Sequence, residues 1–383
     1  MSTDSKRHPY GVAILGATGS IGASALNVIR RHQDRFRVVA VTANENAAAL
    51  REIVDEWKPS YTGLVDGTLA AGHPWNCGVG CLVEAASRDD VDIVVNAVVG
   101  SAGLSATLAA LERGKRVAIA NKETLVMAGS LVLATARRHG GTIVPVDSEH
   151  SAILQCLAGR PVKEVGRLVL TASGGPFRTW STEQIASATI ADALQHPTWS
   201  MGSKVTVDSA SLANKALEVI EAHHLFGIPY DRIDVVVHPQ SIVHSFVEFI
   251  DGSVMAQLGI PSMELPLLYA LTWPERVPDT GVPSFDPISQ RELTFEAVRR
   301  ADFPMLDLGI GAGRRGGTAP AVYNAANEIA VALFLDGRIR FHEIAPIVQS
   351  ALEEHGRDDG ESLDLLLAAD IAARRFVNAK AIR

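Results

Sequence analysis

The sequence predicts an α/β protein: a doubly wound domain over residues 1–150, an α+β domain over 151–273, an extended linker over 274–290 and a small helical domain over 291–383. Three observations predict it. Short aliphatic runs alternate with helical stretches up to residue 150, strands and helices mix without that alternation after 160, and helical periodicity dominates after 290. At 383 residues the chain also exceeds what one hydrophobic core serves.

The first half carries Val12-Ala13-Ile14-Leu15, Arg37-Val38-Val39-Ala40-Val41, Ile93-Val94-Val95-Asn96-Ala97, Val117-Ala118-Ile119-Ala120 and Thr142-Ile143-Val144-Pro145-Val146. Continuous apolar runs mark strands buried on both faces, and the helices between them, such as Ser24 to Arg31, imply right-handed parallel crossovers. The stretch Val91 to Leu111 nears membrane-span length but contains Asp92, Asn96, Gly100, Ser101, Gly103 and Ser105, so it reads as strand, turn and helix. In the second part, Arg167 to Thr171, Asp234 to Val237, Ser245 to Phe249 and Val254 to Leu258 read as strands. Asp251-Gly252 makes 244–258 a hairpin. Pro274, Pro278, Pro283 and Pro287 among polar residues suggest the linker, and Ala319 to Leu335 and Phe341 to Glu354 read as helices.

Composition narrows the function. A net charge of −8 gives no electrostatic footprint for nucleic acid. Three cysteines, Cys77, Cys81 and Cys156, argue against a disulfide framework and for a reducing compartment. Cys77 and Cys81 lack a second pair at zinc spacing, so they read as ordinary thiols. The N-terminal stretch MSTDSKRHPY is polar and the apolar run after it is too short for a signal segment, so cytoplasmic residence without a membrane partner is expected.

A buried strand followed at once by Gly16-Ala17-Thr18-Gly19-Ser20-Ile21-Gly22 and a helix is the arrangement for a pyrophosphate site, in a Rossmann-like domain. Its spacing is a variant, and a tight turn without ligand is the alternative. The second strand runs into Asn44-Glu45-Asn46, where Glu45 would accept from a ribose 2′-hydroxyl and repel a 2′-phosphate, a lean toward NAD. Asp147 and Glu149 follow a strand and, on an extended segment, would project to one side, as a hard divalent cation needs; an acidic cap is the alternative. Asn214, Lys215 and Glu218 share one helical face behind the serine-rich start Asp208-Ser209-Ala210-Ser211, suiting a phosphorylated ligand plus a metal, or else forming a surface Lys-Glu pair. Thr171 to Pro176 offers Ser173 and turn amides as a second phosphate wall. His196-Pro197-Thr198-Trp199-Ser200-Met201-Gly202 suits a lid that excludes water, unless Trp199 and Met201 only anchor a core.

Together these segments resemble the 1-deoxy-D-xylulose 5-phosphate reductoisomerase family. The resemblance runs through GATGSIG at 16–22, ANKE at 120–123, PVDSEHSA at 145–152, ASGGPFR at 172–178, HPTWSMG at 196–202, VDSASLANKALEVIEA at 207–222, VHPQSIVHS at 237–245 and NAANEIAV at 324–331. It implies an NADPH-dependent enzyme of non-mevalonate isoprenoid synthesis that rearranges and reduces its sugar phosphate to 2-C-methyl-D-erythritol 4-phosphate. It makes 151–273 the catalytic and dimerisation domain of a homodimer.

By the same resemblance Asp147, Glu149 and Glu218 hold Mg²⁺ or Mn²⁺, with Co²⁺ a further candidate. Lys122, Ser148, Glu149, Ser173, His196, Ser209, Asn214, Lys215 and Glu218 fall on substrate positions. Thr18, Gly19, Ser20, Ile21, Asn44, Asn46, Asn121, Glu123 and Gly202 fall on cofactor positions, and Trp199 and Met201 on a flap. Lys122, Asp147, Glu149 and Glu218 are the implied catalytic set, the metal acting as Lewis acid and Lys122 steadying the developing alkoxide. Some members carry a basic residue where this chain has Glu45. A semialdehyde dehydrogenase would need an activated cysteine, which none of the three resembles, and a nucleotide sensor would need no carboxylate cluster.

Overall fold

The aliphatic runs of the first half form one parallel sheet in the computed structural model, which describes residues 9–70, 72–356, 360 and 362–380. Its strands are β1 (Tyr10–Leu15), β2 (Phe36–Ala43), β3 (Tyr61–Leu64), β4 (Asn76–Cys77), β5 (Ile93–Asn96), β6 (Arg116–Ile119) and β7 (Thr142–Pro145), in the order β4-β3-β2-β1-β5-β6-β7. All pairs are parallel. Order reverses between β1 and β5, so the crevice for a ligand opens at the carboxyl ends of these two strands. The central strands β1 and β5 are buried almost throughout, as continuous hydrophobicity requires. Two strands, β3 and β4, escape sequence reading. β3 is four residues with a glycine inside it, and β4 is two exposed residues.

Helices α1 (Ser20–Arg31), α2 (Ala47–Trp57), α3 (Gly80–Ser87), α4 (Gly103–Glu112), α5 (Lys122–His139) and α6 (Ser148–Leu157) follow the strands. α1 begins at Ser20, ahead of the expected Ser24, because Gly19 already has the extended conformation of an N-cap. α5 closes on Gly140 at φ 71° with Arg137, Arg138 and His139 in its last turn.

By compactness the chain divides into two units. One comprises Met1–Thr124, Val132–Ser151 and Ser262–Pro283, the other Leu125–Leu131, Ala152–Pro261 and Ser284–Arg383. The division differs from the sequence boundaries in several places, and Leu125–Leu131, expected in the first domain, belong to the second unit. Residues 262–273, expected in the second domain, and the first half of the expected linker 274–290 join the unit that carries the parallel sheet. The reason is an ionic seam on α1: Asn27 Nδ2 donates to Glu264 Oε1 (3.2 Å), Arg31 reaches Glu264 (2.7 Å) and Asp279 (2.8 Å), and His32 Nε2 lies 3.0 Å from Asp279. The Asp279 carboxylate is almost wholly buried, and although burial opposes ionisation, Arg31 and the Gly281 amide hold it below the usual carboxylate range.

The second unit holds β8 (Val165–Ala172), β9 (Ile233–Val237), β10 (Val243–Phe249) and β11 (Val254–Leu258) in the order β11-β10-β8-β9. β10 and β11 are the expected hairpin. Around them lie α7 (Thr182–Ala186), α8 (Ile190–Ala193), α9 (Ser203–Ser211) and α10 (Ala213–Phe226). After α11 (Glu264–Thr272), which belongs to the first unit, come α12 (Pro304–Arg315), α13 (Ala319–Leu335), α14 (Ile344–His355) and α15 (Leu363–Lys380). These C-terminal helices do not keep a core of their own. Leu168, Phe177, Val207, Leu217, Val322, Phe334 and Val348 share one buried cluster, and the rings of Phe177 and Phe341 meet edge-on at 4.9 Å. The helical region 291–383 is therefore continuous with the sheet-bearing part of this unit.

Candidate active site

The glycine turn sits at the switch point. Gly16 has φ 83°, and a Cβ there would lie 2.7 Å from the Ala97 carbonyl at the end of β5, so only glycine lets the two loops meet. A Cβ on Gly22 would stand 2.5 Å from the Gly16 oxygen, which makes it the residue that seats α1 under the turn. Gly19 and Ser20 are exposed, with Thr18 and Ile21 half-buried around them. The first-turn amides of α1 lack intrahelical acceptors and point into the crevice, as a pyrophosphate requires. A dinucleotide on this turn would carry its adenosine half toward the end of β2 and its nicotinamide half toward β5, β6 and β7.

At the β2 end, Asn44, Glu45 and Asn46 are exposed. Asn46 caps α2, its Oδ1 accepting from the Ala49 amide (3.1 Å), so its amide nitrogen is the end left to donate to a ligand. On the opposite side, Asn121 is buried. Its Nδ2 donates to the carbonyls of Val98 (2.7 Å) and Gly100 (2.9 Å) and to Glu123 Oε2 (3.0 Å), while its Oδ1 accepts from the Thr124 hydroxyl. Asn121 and Glu123 thus shape the loop after β5 from beneath.

Lys122 opens α5 after β6, and Asp147 follows β7. Their side chains pair at 2.7 Å, each only about an eighth exposed. The expected extended segment at 147–149 is absent. Ser148 and Glu149 lie in the first turn of α6, where the Ser148 hydroxyl donates to Glu149 Oε2 (2.8 Å). The strand stops because a helix start comes directly after it, and Glu149 gains from the helix dipole there. Ser148 is buried and Asp147 and Glu149 half-buried. Two carboxylates, a hydroxyl and an ammonium therefore gather at the edge of the sheet where the glycine turn also opens.

The second unit assembles a different cluster. His196 Nε2 lies 2.9 Å from Ser173 Oγ and 3.1 Å from Ser209 Oγ. Its Nδ1 accepts from the backbone amides of Thr198 (3.1 Å) and Trp199 (2.9 Å), so Nδ1 carries no proton and Nε2–H is the donor of the neutral ring. Burial pushes the pKa of His196 below the ordinary histidine value, in line with that acceptor role. Gly175 at φ 65°, where a Cβ would meet the Ser209 carbonyl at 2.7 Å, brings the turn after β8 onto α9.

On α10 the expected face forms. Asn214 Nδ2 donates to Glu218 Oε1 (2.5 Å) and Lys215 Nζ to Glu218 Oε2, with Lys215 and Glu218 almost wholly buried. Leu212, at φ 62°, is the left-handed joint that turns α9 into α10 and puts both serine and lysine faces in one unit. Gly202 is the exposed N-cap of α9, and Trp199 and Met201 are half-buried in the loop before it.

Sequence reasoning missed the support of α9. Asp208 is buried between Lys204 Nζ (2.6 Å) and Asn327 Nδ2 (2.9 Å). The Lys204–Asp208 spacing of four was available in the sequence, but the partner from α13 was not.

Three family models cover most of the chain. The model described as 1-deoxy-D-xylulose 5-phosphate reductoisomerase matches residues 12–129, and two of its C-terminal domains match 143–226 and 258–376. A 1-deoxy-D-xylulose 5-phosphate reductoisomerase of a Synechococcus species is 48% identical over 391 residues, covering 96% of this chain and 97% of that one. Its counterpart in Xanthomonas oryzae pv. oryzae is 51% identical over 379 residues, covering 95% of each. Among solved structures, a DOX-P reductoisomerase in complex with NADPH, fosmidomycin and magnesium superposes with a TM-score of 0.91 at 41% identity, over 97% of this chain and 98% of that one. The 1-deoxy-D-xylulose 5-phosphate reductoisomerase of Zymomonas mobilis in complex with NADPH gives 0.89 at 44%, over 97% and 99%.

Proposed function

This chain belongs to the 1-deoxy-D-xylulose 5-phosphate reductoisomerase family, and from that premise we propose that it converts 1-deoxy-D-xylulose 5-phosphate to 2-C-methyl-D-erythritol 4-phosphate, using NADPH and a divalent cation, in isoprenoid precursor synthesis. The observation that carries the reading is the Lys122–Asp147 pair at the nicotinamide side of the sheet edge. Burying charges costs several kcal/mol per ion, and a protein that only senses a dinucleotide has no use for them there.

The donor set fits Mg²⁺ or Mn²⁺. Asp147, Glu149 and Glu218 offer hard carboxylate oxygens, and we assign the metal to them, with Co²⁺ as a further candidate. When bound, the cation supplies Lewis acidity to the carbonyl and hydroxyl oxygens of the substrate, and NADPH supplies the hydride. Lys122 holds Asp147 in place and carries an ammonium to the oxygen where negative charge develops.

We assign the substrate phosphate to Ser173, His196, Ser209, Asn214 and Lys215. Neutral His196 directs its Nε2–H, and Lys215 supplies the compensating charge, while Glu218 fixes that ammonium. The loop 196–202, organised by the two amides on His196 Nδ1, excludes water through Trp199 and Met201. Thr18, Gly19, Ser20 and Ile21 are assigned to the NADPH pyrophosphate, Asn44 and Asn46 to the ribose end, and Asn121, Glu123 and Gly202 to the nicotinamide end. Ser148 and Glu149 complete the substrate side.

We propose cytoplasmic residence for the enzyme, in line with its three free cysteines, and, from the family resemblance, a homodimer. Among the described residues no helix is long and apolar enough to cross a membrane.

The test is oxidation of NADPH by purified protein with 1-deoxy-D-xylulose 5-phosphate, with and without Mg²⁺ or Mn²⁺. Turnover that requires the metal is the expected outcome. A folded protein without metal-dependent turnover would end the assignment.

A further inference from the structure

Glu45 poses a problem for an enzyme that uses NADPH, because a carboxylate at the end of β2 repels a 2′-phosphate. The structure carries a cation, Arg51, on the helix that starts two residues after it. Arg51 is on the first turns of α2, four residues beyond Ala47, so its side chain leans back over the helix start that Asn46 caps. Its Nη2 lies 2.6 Å from His73 Nε2. A guanidinium cannot accept, so His73 Nε2 is the acceptor and carries no proton. The ring of His73 is in turn stacked on Trp75, with centroids 4.2 Å apart and planes 11° from parallel.

The loop that carries His73 is sewn to the end of β2. Val65 N donates to the Ala43 carbonyl (3.0 Å) and Asp66 N to the Asn44 carbonyl (2.8 Å), so the chain leaving β3 is fixed against the residues where the ribose is read. Arg30, Arg88 and Arg113 in the same unit each hold a carboxylate at 2.7–2.9 Å. Among the described residues Arg51 has no carboxylate partner; its side chain meets the neutral His73 instead. A guanidinium fixed by a neutral acceptor keeps its full charge and its remaining N–H groups for an anion.

We propose that Arg51, positioned by His73, binds the 2′-phosphate of NADPH in this chain, replacing the attraction that Glu45 cannot provide. Glu45 is exposed and can point to solvent while Arg51 and the Asn46 amide nitrogen face the phosphate. The proposal rests on NADPH being the cofactor and names the residue that makes it so.

Equilibrium binding to the intact protein tests it, read by calorimetry with 2′,5′-ADP and 5′-AMP and by nucleotide fluorescence with NADPH and NADH. R51Q is expected to weaken 2′,5′-ADP and NADPH by about tenfold or more, leaving 5′-AMP and NADH within about twofold of wild type. R51K, with one point charge in place of a fork, should fall between. H73A, which frees the guanidinium, should lose part of the same preference without touching NADH. An R51Q protein that keeps the wild-type preference for 2′,5′-ADP overturns the role of Arg51, as does one that weakens both members of each pair equally. Wild-type protein that binds 2′,5′-ADP no better than 5′-AMP overturns the NADPH assignment and this proposal with it.

Discussion

Glu218 is held at both carboxylate oxygens by residues three and four positions before it on one helix, and almost no solvent reaches it. E218Q keeps the shape and most of the hydrogen bonding while removing the charge, so turnover should fall by more than about tenfold with the NADPH dissociation constant nearly unchanged. Steady-state assay beside nucleotide fluorescence checks this, and near-normal turnover would take Glu218 out of the metal set. Gly22 makes the reverse prediction. A methyl group there would meet backbone atoms of Gly16 and Ala17 at 2.5–2.6 Å, and backbone cannot step aside. G22A should therefore weaken NADPH binding by about tenfold or more, since the turn must open to fit it. These residues were legible in the sequence because turn glycines and i, i+4 pairs are local. Arg51 and His73 were not, since twenty-two positions separate them and only the β3 loop joins them.

Helices α5 and α10 meet at a defect. Ala128 breaks α5 with φ −141° and ψ 32°, and a Cβ on the next residue, Gly129, would stand 2.4 Å from the ring of His224 on α10. Burial, with a smaller contribution from His223, pushes His224 down to about 4 from the usual 6.5. A histidine whose folded pKa is lowered binds its proton more readily when unfolded, so its neutral form stabilises the fold above about pH 6.5 and that contribution is lost as pH falls toward 4. The loss amounts to about 3 kcal/mol. Denaturant titrations should show the stability of wild type falling more steeply than that of H224Q between these pH values; parallel curves would remove His224 as the cause. At this scale sequence patterning placed α13, α14 and the hairpin. It missed β3 and β4 because four residues with a glycine and two exposed residues carry no periodicity, and it read Asp147 to Glu149 as extended because a helix start beside a strand end leaves no spacer to mark the change.

The whole molecule divides at residues that composition does not mark. Pro274 to Pro283 read as linker, yet Asp279 is buried against Arg31 and His32, so this stretch is a strap on α1. Proline density announces an extended backbone and says nothing about what anchors it. The homodimer expected from family resemblance predicts a mass near twice 40.7 kDa in sedimentation equilibrium at micromolar concentration; a monomer there would refute it. The amino-acid order by itself determined the parallel sheet, the glycine turn, the paired donors of α10 and the family, because each depends on residues close in the chain or on motifs kept in order. Only the tertiary structure decided which way His196 presents its proton, that the C-terminal helices share the core of the second unit, that residues 262–283 return to the first, and that Arg51 meets His73. Those outcomes depend on contacts between residues far apart in sequence, where neither periodicity nor spacing carries information.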